Sequence, residues 1–128
     1  MRIGELARAC DCSVETIRYY ESVGLLSAPR RAANGYRVYS DEHRKWLQFV
    51  RRSRDLGLPQ DEVRLLLEIA RDESAVCDDV YALLSSHVQQ VSRRIRELKQ
   101  LEESLMRLQS RCAHSKSKKC PAIDELMK

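Results

Sequence analysis

Apolar residues recur along this chain at spacings of three and four, which is the pattern of amphipathic helices. A first short helix is predicted over Ile3 to Ala9. A second runs from Val14 to about Val23, behind the favourable N-cap residue Ser13, and Gly24 ends it. Because only Cys10 to Cys12 separate them, the two helices predict a helix-turn-helix.

A hairpin signal follows the second helix. Asn34-Gly35 favours a type I′ turn, because both residue types tolerate positive φ, and residues 36–39 are typical of a strand. The segment therefore predicts a small two-stranded wing. Two further helices are predicted next, one from Ser40 to about Leu56 and one opened by Pro59.

The longest helical pattern runs from about Asp78 to Arg111. One apolar stripe follows it, formed by Leu84, Val88, Val91, Ile95, Leu98, Leu101, Leu105, Leu108 and Cys112. These spacings are typical of a coiled-coil seam with one irregularity between Leu98 and Leu101. Since no other segment is long enough to cover the stripe, the sequence predicts that a second copy of the chain does.

Composition and charge refine this picture. Glycine and proline are scarce, at 4 and 3 of 128 residues, which favours helices over a sandwich or barrel. Residues 1–57 hold 11 Lys/Arg against 7 Asp/Glu (11 − 7 = +4), whereas residues 58–128 hold 12 of each (12 − 12 = 0). The first half is therefore expected to meet a polyanion. Neither a signal region nor a membrane span is apparent, so we expect a cytoplasmic protein with reduced cysteines.

The second helix and the wing carry the candidate nucleic-acid contacts. Arg18 and Tyr19 share one helix face, and the wing adds basic and aromatic residues at Arg31, Tyr36 and Arg37. Such side chains suit phosphate and base-edge contacts on double-stranded DNA. Each residue alone is equally compatible with an ordinary surface, but their combination with a helix-turn-helix and one-sided charge favours DNA binding.

Three cysteines form the candidate metal site. Cys77 stands before the long helix and Cys112 stands after it, so about 35 residues of helix place them roughly 50 Å apart. One chain cannot bring these thiols together, whereas an antiparallel dimer would join Cys77 of one chain to Cys112 and Cys120 of the other. Thiolates select soft ions such as Zn, Cd, Hg, Pb or Cu(I). Cys10 and Cys12 are expected to be small buried residues.

Four stretches carry a family resemblance: residues 3–7 (IGELA), 15–21 (ETIRYYE), 24–26 (GLL) and 34–39 (NGYRVY). Their order and spacing resemble the MerR-family signature across essentially the whole chain. The resemblance implies a winged-helix head, an antiparallel coiled-coil dimer, and activation of promoters with an overlong spacer by DNA distortion, with RNA polymerase as a further partner. Among the family's DNA contacts, the matching positions are Arg18, Tyr19, Tyr36 and Arg37, with weaker matches at Thr16 and Arg54.

The resemblance also narrows the choice of metal ion. Members that sense monovalent copper or silver have a serine where Cys77 stands, so Cys77 implies a divalent ion. Zinc sensors carry a second cysteine where this chain has Ala113. Cadmium, lead or mercury is therefore favoured and zinc remains possible. His114 is a candidate extra ligand, although a solvated loop residue is the more common outcome.

The resulting prediction is a mainly α protein with residues 1–74 as the winged helix-turn-helix domain, 75–111 as the dimerisation helix and 112–128 as the metal-binding loop and C-terminal segment. Its predicted function is activation of a metal-resistance promoter in response to a soft divalent ion. A DNA-binding protein with purely structural zinc is the alternative. A thiol enzyme is disfavoured because no Cys-x-x-Cys motif is present, and an iron-sulfur sensor would need four clustered cysteines.

Overall fold

The computed structural model describes residues 1–74, 76–113 and 120–128. Its elements in chain order are α1 (Ile3–Ala9), α2 (Val14–Ser22), β1 (Arg30–Arg31), β2 (Arg37–Val38), α3 (Asp41–Asp55), α4 (Gln60–Arg71), α5 (Cys77–Ala113) and α6 (Pro121–Leu126). Strands β1 and β2 pair antiparallel. The predicted mainly α architecture with a wing and one long helix is confirmed.

The helix boundaries follow from local capping. Ser13 accepts a hydrogen bond from the Thr16 N–H at the start of α2, and Ser40 accepts one from the His43 N–H at the start of α3. Each hydroxyl satisfies an N–H group that has no partner inside its helix. Gly24 follows α2 with a φ of 80°, a left-handed conformation that glycine adopts without steric cost.

Residues 1–83 form one compact unit. Its apolar core consists of two clusters. The first joins α1, α2, the end of the wing and α3, and its members are Leu6, Ala7, Cys10, Ile17, Leu26, Tyr39 and Leu47. The second packs the end of α2 against α3 and α4, and its members are Leu25, Val50, Leu58, Val63 and Leu67. Each fully buried large side chain stabilises the fold by about 1.5–3 kcal/mol, so these clusters hold the helix-turn-helix and the wing in one arrangement.

Residues 84–128 form the second compact unit. The apolar stripe of α5 is exposed from Leu84 to Leu105 in the single chain, with exposed fractions between 40% at Leu84 and 62% at Val88, and Leu108 is half-buried. A continuous exposed apolar face of this kind marks an interaction surface. Within the ranges that the structure describes, no helix is both long enough and apolar enough to cross a membrane.

Tyr39 connects the core to the wing. The residue is 1% exposed, and its hydroxyl donates a hydrogen bond of 2.5 Å to Oε1 of Glu21. Burial, followed by the hydrogen bond and negative charge of Glu21, raises the pKa of Tyr39 to about 12.

This raised pKa predicts a loss of stability at alkaline pH. In the unfolded chain the Tyr39 hydroxyl releases its proton once the pH exceeds the usual pKa of tyrosine, which is 10.0. In the folded chain the hydroxyl keeps the proton until about pH 12. The unfolded state then binds fewer protons, so the free energy of unfolding falls as pH rises, by about 2 kcal/mol at pH 12. Urea titrations between pH 9 and 12 should show a steeper fall for the native chain than for Tyr39→Phe. Equal slopes would exclude this role for Tyr39.

Candidate nucleic-acid interface and metal centre

The outward face of α2 follows from which residues of the helix are buried. Ile17 is fully buried against α1, so its neighbours Arg18 and Tyr19 project outward and are exposed. Thr16 lies at the first turn, where its hydroxyl is 2.8 Å from that of Ser13. Helical geometry thus presents the predicted contact residues of α2 on the surface.

A groove of about 810 Å³ lies between α2 and the wing. It brings together three of the predicted DNA contacts, Arg18, Tyr36 and Arg37. The groove is lined by Arg2, Ile3, Arg18, Glu21, Ser22, Ala28, Tyr36 and Arg37. Three arginines and one tyrosine around an open groove can donate several hydrogen bonds to phosphate oxygens.

Glu21 holds the wing against α2. Its side chain is only 11% exposed and accepts from the Tyr39 hydroxyl at 2.5 Å and from Nη1 of Arg37 at 3.2 Å. The Arg37 side chain remains 47% exposed. One carboxylate therefore orients a wing arginine that still reaches solvent, and this arrangement depends on chain segments 16 to 18 residues apart.

Arg2 is a residue that the sequence reasoning missed. Its guanidinium carbon lies 4.1 Å from the centre of the Tyr36 ring, a cation–π contact that orients both side chains. The contact arises because the Met1 ammonium donates to the Tyr39 carbonyl at 2.8 Å and the Tyr39 N–H donates to the Met1 carbonyl at 2.7 Å. No local sequence pattern signals this pairing of the N-terminus with the wing.

A second groove of about 410 Å³ contains the other predicted contacts on the helices, Thr16, Tyr19 and Arg54. Tyr19 donates from its hydroxyl to Oε1 of Gln60 at 2.8 Å, and Arg54 donates to the carbonyl of Leu58 at 3.1 Å. Both side chains therefore already donate a hydrogen bond within the chain. A nucleic acid would have to replace that hydrogen bond or add a second one.

Arg31 lies elsewhere, on β1. It is exposed and stands opposite Arg37 in the two-stranded ladder.

The cysteines of the helix-turn-helix connection have structural surroundings. Cys10 is 8% exposed within the first core cluster, and Cys12 packs against that cluster from outside. Burial raises the pKa of the Cys10 thiol. The guanidinium of Arg51 donates to the carbonyls of Cys10 and Asp11, which supports the turn where Asp11 has a positive φ of 52°. Cys10 is therefore a small buried residue as expected, whereas Cys12 is only half-buried.

Cys112 and Cys120 come together at the end of α5. Cys112 lies in the last turn of α5 and Cys120 is the N-cap residue of α6, and their Sγ atoms are 3.0 Å apart as free thiols. Cys112 is exposed and Cys120 is half-buried, so the pair is open to solvent. The structure thus places two of the three predicted metal ligands in contact.

The two thiols differ in acidity. The hydrogen bond between them raises the pKa of Cys112 and lowers the pKa of Cys120. The backbone N–H groups of Ile123 and Ala122 lower the pKa of Cys120 further. A thiolate is the form that binds metal, so the lowered pKa makes Cys120 the better prepared of the two predicted ligands.

The donor chemistry of the pair fits a soft ion. A metal–sulfur distance of about 2.3 Å and tetrahedral geometry place two ligand sulfurs roughly 3.8 Å apart, which requires only a small opening of the observed pair. Cys77 is the first residue of α5 and is exposed. Among the residues described for a single chain, no three potential ligands gather at one point. His114 lies outside the described residues.

Comparison with known proteins identifies similar transcription regulators. Residues 1–69 match the protein family described as "MerR HTH family regulatory protein". Residues 44–108 match the family described as "MerR, DNA binding". The mercuric resistance operon regulatory protein of Bacillus cereus is 41% identical over 128 residues, covering 99% of this chain and 97% of that protein.

Two solved structures are similar over nearly the whole chain. The regulator PbrR691 from Ralstonia metallidurans CH34, in complex with lead(II), is 40% identical with a TM-score of 0.87 and 98% coverage of both chains. MerR from Bacillus megaterium MB1, in complex with mercury(II), is 38% identical with a TM-score of 0.78 and complete coverage of both chains. This chain therefore belongs to the MerR family of helix-turn-helix transcription regulators.

Proposed function

We propose that this regulator activates a metal-resistance promoter in response to a soft divalent ion. The observation that carries the proposal is the open pair of thiols, Cys112 and Cys120, with sulfurs 3.0 Å apart. Soft thiolates favour soft ions, and the similar regulators from R. metallidurans and B. megaterium are complexes with lead(II) and mercury(II). Cadmium, lead and mercury are the favoured ions, and zinc is possible.

The proposed metal site takes Cys112 and Cys120 from one chain and Cys77 from a second copy. Cys77 begins α5 and Cys112 lies in its last turn, so a helix of 37 residues separates them within one chain. An antiparallel pairing along the exposed apolar stripe would bring the start of one α5 beside the end of the other. Each homodimer would then contain two equal sites, each able to link the two chains.

The proposed DNA-binding residues are Thr16, Arg18, Tyr19, Arg31, Tyr36, Arg37 and Arg54. Two grooves support the proposal, since they gather Arg18, Tyr36 and Arg37 on one side of α2 and Thr16, Tyr19 and Arg54 on the other. The excess of positive charge in residues 1–57 suits promoter DNA.

The proposed division of labour assigns DNA binding to residues 1–74, dimerisation to 75–111 and metal capture to 112–128. In the cytoplasm, metal occupancy at the ends of the paired α5 helices would bias the placement of the two DNA-binding heads. The DNA would then be distorted into a form that RNA polymerase uses.

The first prediction tests the DNA-binding face. Arg18→Ala should weaken binding to the operator by about tenfold, because it removes an exposed guanidinium from the groove beside the wing. Arg94→Ala removes the same charge from the middle of α5 and serves as the control. Fluorescence anisotropy at fixed salt measures both affinities. Equal affinities for the two variants would remove Arg18 from the interface.

The second prediction tests the dimer. Leu101→Glu places a charge in the middle of the apolar stripe, where the side chain is 56% exposed in the single chain. A second copy would bury that charge without a partner, so dissociation at micromolar concentration is expected. Gln100→Glu adds the same charge on the opposite side of α5 and should remain dimeric. Sedimentation velocity distinguishes these outcomes, and a dimeric Leu101→Glu would contradict the proposed seam.

The third prediction tests the shared site. Cys77→Ser and Cys112→Ser should each abolish tight metal binding as homodimers, while operator binding persists. In a heterodimer of the two variants, both serines fall at one end, and the other end keeps Cys77 of one chain with Cys112 and Cys120 of the other. Metal binding should therefore return at about one ion per heterodimer. Absence of recovery would show that Cys77 does not complete the site in trans.

A further inference from the structure

An ion pair joins the last turn of α5 to α6, the two helices at whose ends the thiols lie. Nη1 of Arg111 is 2.7 Å from Oε2 of Glu125, and Nζ of Lys128 is 3.3 Å from the same oxygen. Arg111 immediately precedes Cys112 on α5, and Glu125 belongs to α6, which begins directly after Cys120. The contact therefore joins the two helices that carry the thiols.

We propose that the Arg111–Glu125 ion pair is a clasp that positions α6 against the end of α5 and so keeps the two thiols together. The clasp deepens the proposed function, because it would prepare Cys112 and Cys120 for a soft divalent ion before that ion arrives. Arg111 and Glu125 are positioning residues in this proposal and are not metal ligands.

The geometry of chain closure supports the clasp. Cys112 and Cys120 are eight positions apart, and bringing their sulfurs together costs conformational entropy. The ion pair joins residues 14 positions apart, and both cysteines lie between them in the sequence. Forming the ion pair therefore closes the same stretch of chain before the sulfurs meet. A site that is closed beforehand gains affinity because less of that entropy is lost when metal binds.

Loss of the ion pair should change the metal affinity only modestly, but the direction of that change distinguishes the clasp from a simple effect of charge. The Arg111 and Glu125 side chains are 54% and 41% exposed, and exposed ion pairs are weak, so a change of roughly threefold is expected. Charge alone predicts the opposite sign for loss of Glu125. Metal capture by three thiols releases three protons and leaves one extra negative charge, so a nearby carboxylate disfavours it and its removal would tighten binding.

The first experiment measures thiol proximity without any metal. In the full chain carrying Cys77→Ser, diamide oxidises the two thiols to a Cys112–Cys120 disulfide and is itself reduced to the hydrazine. Glu125→Gln should slow formation of this disulfide by roughly threefold, as followed by mass spectrometry of the digested protein. Glu97→Gln breaks a comparable exposed ion pair with Arg94 in the middle of α5 and should leave the rate unchanged.

The second experiment measures metal affinity with Cd(II) as the probe, in the full chain with all cysteines present. Glu125→Gln should bind Cd(II) roughly threefold more weakly than the native chain, and Arg111→Lys should retain most of the native affinity because it keeps the charge. The difference between the native chain and Glu125→Gln should shrink in 1 M salt, where exposed charges are screened.

The outcomes separate the clasp from the proposed function. If Glu125→Gln forms the disulfide as fast as Glu97→Gln, or binds Cd(II) as tightly as the native chain or more tightly, the clasp is overturned. If the native chain takes up no Cd(II) at these thiols, metal sensing fails instead, and the rates of disulfide formation still decide whether the ion pair holds the thiols together.

Discussion

The carboxylate of Glu21 links the parts of the chain on which the DNA-binding face depends. It accepts from Tyr39, which is anchored in the core, and from Arg37, which reaches solvent from the wing. The Glu21 side chain is 11% exposed, so its contact with the buried Tyr39 hydroxyl is shielded from water, whereas its contact with Arg37 remains open to solvent on the arginine side. The position of the wing relative to α2, and with it the groove that contains Arg18, follows from these contacts.

The exposed seam of α5 imposes a second constraint. Seven side chains of the apolar stripe of α5 are at least 40% exposed in the single chain: Leu84, Val88, Val91, Ile95, Leu98, Leu101 and Leu105. Burial of this apolar surface in a coiled coil is strongly favourable, so the isolated chain is expected to associate with a partner helix. If that coil is antiparallel, the cysteines at the two ends of α5 become neighbours. Dimerisation and metal capture would then depend on the same helix.

The thiol pair illustrates how little structure is needed to bring two cysteines together. One cysteine in the last turn of a helix and one at the start of a short helix supply both sulfurs, and one surface ion pair lies between the same two helices. The N–H groups at the start of α6 lower the pKa of Cys120, whereas the contact with Cys120 raises the pKa of Cys112. The two thiols therefore differ in pKa although they are in contact.

The sequence by itself determined the elements of this protein, because apolar spacing, Ser13 and Ser40 as N-caps, and Gly24 as a helix stop are local signals. The sequence also indicated the family and the three cysteines that are candidate metal ligands, since residue types and spacing carry that information. Only the tertiary structure decided which side chains meet. The stacking of Arg2 on Tyr36, the partners of Glu21 and the Arg111–Glu125 contact join residues 14 to 34 positions apart. Such contacts depend on packing of the whole unit, and no local pattern encodes them.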